Sequence, residues 1–97
     1  ERYLVRRTIE HGGVAYKWVS PGRAGVADRI VLLPGGRVWF VELKTAKGRL
    51  SPWQKLFAAE MRRLEMNYIV IRSKEEVDQW MLDQQNTLPT RPTAPKT

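Results

Sequence analysis

Cysteine is absent from this 97-residue chain and histidine occurs once, as His11. Without thiols there is no disulfide framework, no zinc ribbon and no cysteine nucleophile, and one histidine gives no basis for a histidine-rich metal site or a Ser-His-Asp triad. No apolar run approaches the roughly 20 residues that a membrane-crossing helix requires, and no signal-peptide pattern opens the chain, so no membrane partner is expected. Acidic residues are the minority. Ten Asp and Glu stand against seventeen Lys and Arg, a net charge of +7. A basic excess of that size in a small domain points towards a polyanion, of which nucleic acid is the commonest. The rest of the composition, 42% apolar and 28% charged, is ordinary for a globular protein, and 97 residues allow one domain with a modest core.

Leu4 to Glu10 has helical spacing, and His11-Gly12-Gly13 stops it. Val14 to Ser20 and Ala27 to Leu33 read as strands on either side of the glycine-rich loop Pro21-Gly22-Arg23-Ala24-Gly25. Pro34-Gly35-Gly36 turns the chain into a third strand, Arg37 to Lys44, and makes a hairpin with the second. Ser51-Pro52 opens a helix that extends to about Met66, with Leu56, Phe57, Met61 and Leu64 as its expected buried stripe. Asn67 to Arg72 is a fourth strand, and the capping box Ser73-Lys74-Glu75-Glu76 heads a last helix ending near Gln85. Residues 1–85 are thus the expected domain, and the Thr- and Pro-rich remainder, 86–97, a loose tail. The order α-β-β-β-α-β-α specifies an α/β mixed sheet flanked by helices, the crossover helix making strands three and four parallel.

Charged residues interrupt two of these strands. Asp28 follows Gly25-Val26-Ala27 at the entrance to an apolar strand, and Glu42 and Lys44 close a third strand that is apolar through Val38, Trp39, Phe40 and Val41. Spaced by two, Glu42 and Lys44 share a face. The hairpin brings residues near 28 opposite residues near 42. Two converging carboxylates repel unless a cation lies between them, and hard ions such as Mg²⁺ or Mn²⁺ favour such oxygens. A lysine beside them can position water or stabilise charge on a phosphate in reaction. The alternative is a cross-strand ion pair of Lys44 with Asp28 or Glu42.

Asp28, thirteen residues and then Glu42-Leu43-Lys44 at a strand end resemble the PD-(D/E)xK nuclease signature. The wider segment SPGRAGVADRIVLLPGGRVWFVELKTAKGRLSPWQ, residues 20–54, resembles the core of the VRR-NUC (virus-type replication-repair nuclease) family, and with its flanks the likeness spans roughly residues 1–83. Ala27 departs from the proline usual before the family's aspartate; that position ligates nothing. The resemblance implies a restriction-endonuclease-like fold and a Mg²⁺- or Mn²⁺-dependent DNA endonuclease. It implies metal held by Asp28, Glu42 and the Leu43 carbonyl, with Lys44 and Gln54 ordering the attacking water. Gln54 can equally close a capping box with Ser51. The family also places a first-helix glutamate at the metal; Glu1 shares a helix face with Leu4, Val5, Thr8 and Ile9 whereas Glu10 lies opposite, so Glu1, or a glutamate preceding it, is the candidate.

Around the site, Ser20, Arg23, Arg29, Lys47 and Arg49 suit phosphate contact. The four tryptophans, 18, 39, 53 and 80, read as core or subunit contacts. Likeness to Holliday junction resolvases implies branched DNA as substrate, a homodimer, and action in the cytoplasm of a bacterial or phage-infected bacterial cell. The alternatives are a non-catalytic basic nucleic-acid-binding module, or a flap or single-strand nuclease.

Overall fold

A computed structural model describes residues 1–86. Helix α1 (Arg2–Glu10) leads into strands β1 (Val14–Lys17), β2 (Arg29–Leu33) and β3 (Arg37–Leu43), followed by α2 (Pro52–Arg63), β4 (Tyr68–Ile71) and α3 (Lys74–Asn86). The four strands lie in the order β1-β2-β3-β4. The first three form an antiparallel meander, and β4, returning after α2, pairs with β3 in parallel. The expected α/β mixed sheet is therefore the fold. Gly35 and Gly36 turn the β2–β3 hairpin at φ of 88° and 74°, a region closed to most side chains. Asn86 belongs to α3, and the rest of the expected tail lies outside the described residues.

Alternation along the strands divides the side chains between two faces. One face meets α1 and α3 in a core of Leu4, Val31, Val41, Ile71, Val77, Trp80 and Met81, with the Trp39 ring edge-on to Trp80 at 5.5 Å. The opposite face meets α2 around Ala27, Phe57 and Met61, with Trp18, Phe40 and Tyr68 packed against them. The Trp18, Phe40 and Phe57 rings lie 5.5–6.2 Å apart in tilted or edge-on pairs. α2 covers only part of this face: Val14, Tyr16, Leu32 and Val38 remain exposed.

Several boundaries differ from the sequence reading, among them those of β1, β2 and α2. β1 ends at Lys17 rather than Ser20, and β2 begins at Arg29 rather than Ala27. After a last bridge from the Trp18 amide to the Asp28 carbonyl (3.0 Å), Ala27 leaves the ladder and is wholly buried against α2. α2 stops at Arg63 because its last turn closes as a Schellman motif, the Met66 amide donating to the Met61 carbonyl and the Glu65 amide to that of Arg62. Glu65 takes the left-handed conformation (φ 56°) that glycine usually signals, so the sequence does not announce the stop. The buried stripe of α2 is also narrower than expected. Phe57, Ala58 and Met61 are inside, whereas Leu56 and Leu64 are 54% and 51% exposed, since the helix touches the sheet along one line only.

Candidate active site

The β2–β3 register pairs Arg29 with Val41, so the next step places Asp28 opposite Glu42. Asp28 ends the β1–β2 ladder, its backbone carbonyl accepting from the Trp18 amide. Its carboxylate Oδ2 accepts from the Leu43 amide at 2.7 Å, stitching the loop before β2 to the end of β3. Glu42 points to the α2 face, 1% exposed, among the most buried side chains of the molecule.

α2 delivers the next component. Ser51 caps its first turn, accepting from the Gln54 amide, and the Gln54 side chain returns the bond by accepting from the Ser51 amide through Oε1 at 2.8 Å. The other end of the same amide, Nε2, donates to Glu42 Oε2 at 3.0 Å. One side chain thus caps the helix and also holds the buried Glu42 carboxylate.

Burial pushes the Glu42 carboxyl up to about 8, aided by the neighbouring Asp28 carboxylate and opposed by the Lys44 ammonium. Glu42 Oε1 is buried with no partner. An orphaned hard oxygen next to a second carboxylate is chemistry that a divalent cation satisfies, and Mg²⁺ typically needs only one or two protein carboxylates, completing its shell with water and phosphate. Asp28 and Glu42 fit that requirement. Among the described residues no group of three or more His, Cys, Asp or Glu is arranged to hold a metal.

Lys44 follows β3, its amide donating to the Ile71 carbonyl (3.0 Å), and it lines a cleft with Glu1, Tyr3, Leu43 and Arg72. Glu1 thus shares a cleft with Lys44, but its carboxylate engages Arg29 Nε at 2.9 Å instead of joining Asp28 and Glu42. Arg29 also donates to the Ala15 carbonyl. Of the other basic residues, Arg23 pairs with Glu60 at 2.7 Å and lies over the Phe57 ring, whereas Lys47 and Arg49 are exposed on the loop after β3. Ser20 is half-buried. Trp53 is not in the core: it is 58% exposed, and Gly25 packs so closely on its backbone that a Cβ there would lie 2.5 Å from the Trp53 carbonyl carbon.

Two contributors were not read from the sequence. Arg72 donates through Nη1 to the carbonyls of Thr45 and Gly48, fixing the loop that carries Lys47 to the end of β4. Tyr68, on the same sheet face as Glu42, has a buried hydroxyl whose pKa rises to about 12 through burial first and the Glu42 charge second. Its alternation with Ile69 along β4 was the available signal.

No protein-family model matches the chain. Over 75 residues, covering 77% of this chain and 81% of its relative, it is 43% identical to the protein named "Putative nuclease p44" of Acyrthosiphon pisum secondary endosymbiont phage 1. A solved structure described as a VRR_NUC domain is similar with a TM-score of 0.79 and 32% identity, over 84% of this chain and 88% of that one. No helix of the described residues is long and apolar enough to cross a membrane.

Proposed function

Because the chain belongs to the VRR-NUC family of nucleases, we propose that it is a Mg²⁺- or Mn²⁺-dependent DNA endonuclease acting as a homodimer on branched substrates, four-way junctions above all. The observation that carries the reading is the buried Glu42 carboxyl, with one oxygen held by Gln54, one oxygen unpartnered and Asp28 beside it. Asp28, Glu42 and the Leu43 carbonyl would hold the ion, and Glu1 would join only by exchanging its pairing with Arg29. When bound, the ion would supply Lewis-acid polarisation of the scissile phosphate and a more acidic water.

The chain's own residues do the rest. Lys44, one pleat step beyond Glu42, offers its ammonium to the water and to charge developing on the phosphate oxygens. Gln54 fixes the plane of the Glu42 carboxylate. Lys47 and Arg49 are exposed for the DNA backbone, and the Arg72 clamp holds their loop. In-line attack by water at phosphorus would break the bond to O3′, leaving a 5′ phosphate and a 3′ hydroxyl. The exposed apolar sheet face supports the dimer, since the β1–β2–β3 register sets Val14, Leu32 and Val38 in one row and Tyr16 lies on the same face. Such a face is self-complementary about a twofold axis, and two sites so related match a junction's own symmetry. The cytoplasm of a bacterial or phage-infected cell is the setting consistent with this activity.

The test is cleavage of labelled linear, flap and four-way-junction DNA with and without Mn²⁺, alongside light scattering. Paired symmetric junction cuts that require Mn²⁺, and a mass near twice 11.3 kDa, are expected. Binding without cutting in Mn²⁺ would favour the non-catalytic module. Flap cutting by a monomer would retain the chemistry and overturn the assembly.

A further inference from the structure

The Tyr68 hydroxyl is a polar group to which the metal reading gives no task. Tyr68 stands on β4 in register with Phe40 of β3, and Val70, one pleat step on, is in register with Glu42. Tyr68 and Glu42 are therefore diagonal neighbours on adjacent strands and the same face, a separation that a phenol and a carboxylate span easily. The Tyr68 ring packs against Phe57 at 5.9 Å. That contact needs only the ring; phenylalanine would make it without burying a hydroxyl. The hydroxyl is nevertheless present, buried and without a partner, and so is Oε1 of Glu42. One of these orphans is a donor and the other an acceptor. Glu42 Oε2 is already taken by Gln54.

We propose that Tyr68 is a positioning residue of the metal site, its O–H donating to Glu42 Oε1 when a divalent ion occupies the site. Gln54 and Tyr68 would then each fix one oxygen, and the lone pairs of Oε1 suffice for the ion and the phenol together. This inference rests on the metal-dependent reading above. Partners in this outer position typically alter metal affinity or activity about 10- to 100-fold.

Tyr68→Phe removes only the oxygen, and the full chain without DNA is the sample. Titration calorimetry with Mn²⁺ should show the dissociation constant rising about tenfold. The ion-free melting temperature should be unchanged or higher, because a buried unpartnered hydroxyl has gone, and the rise in melting temperature on adding Mn²⁺ should shrink. In cleavage assays the Mn²⁺ concentration for half-maximal rate should increase while KM for DNA stays constant. Equal Mn²⁺ affinity in wild type and Tyr68→Phe would overturn the role of Tyr68 and leave the metal reading standing. A fall in the ion-free melting temperature with unchanged Mn²⁺ affinity would make the hydroxyl merely structural. A wild-type protein that binds no Mn²⁺ would overturn both readings.

Discussion

The two faces of the four-stranded sheet are built from the same alternating strands but are put to different ends. Against α1 and α3 the side chains are mostly aliphatic and closely buried, Leu4, Val31, Val41 and Met81 among them, together with Trp80. Against α2 the face is aromatic, includes a buried carboxyl, and is left partly uncovered. β3 supplies both: Val41 enters the mostly aliphatic core, and Glu42, the next residue, enters the site. The contrast teaches that stability is concentrated where no chemistry is required, so the other face can hold a destabilising carboxyl and still fold.

The largest effect should come from the catalytic face. Glu42→Gln or Asp28→Asn should reduce cleavage to background while the far-ultraviolet spectrum is retained; wild-type-like cutting by either in Mn²⁺ would break the assignment. Lys44→Ala should lose about a hundredfold or more in rate and still bind Mn²⁺ in calorimetry, because the role proposed for the lysine is on water and phosphate rather than on the ion. On the other face, Leu4→Ala should cost about 3 kcal/mol in denaturant unfolding with little change in rate per folded molecule.

A smaller effect, in pH, sharpens the comparison. In the ion-free protein Glu42 titrates near 8, against 4.5 for an ordinary glutamate. Between those values the folded chain retains a proton that the unfolded chain has lost. Stability from this group is therefore complete below about pH 4.5 and declines as pH rises to about 8. Thermal melts of the wild type should fall across that window, and those of Glu42→Gln should fall less. The smallest effect on the fold should come from Tyr16→Lys on the exposed part of the sheet, within about 0.5 kcal/mol by denaturant unfolding, yet light scattering should change from the proposed dimer to a monomer.

The elements whose rules are local were legible in the sequence. Proline and glycine marked the hairpin, Ser51-Pro52 marked the start of α2, and the hairpin's register placed Asp28 opposite Glu42 before any coordinates. What escaped depends on what lies opposite. Leu56 and Leu64 have helical spacing for burial, but nothing covers them. The end of α2 is set by a glutamate in a conformation that its side chain does not advertise. Glu1 has the position on the helix wheel that a ligand needs, yet Arg29 from β2 claims its carboxylate. Tyr68 reads as an ordinary strand aromatic until the missing partner of its hydroxyl is visible.

The pair of hydrogen bonds made by the Gln54 side chain has a dynamic consequence. Because one amide group closes the first turn of α2 and steadies Glu42, fraying of that turn and loss of the carboxylate's orientation are a single event. Local opening of a helix end occurs at far lower free energy than global unfolding. Amide exchange at the start of α2 should therefore track catalytic competence, and on warming the enzyme should fall silent while its mostly aliphatic core is still closed to solvent.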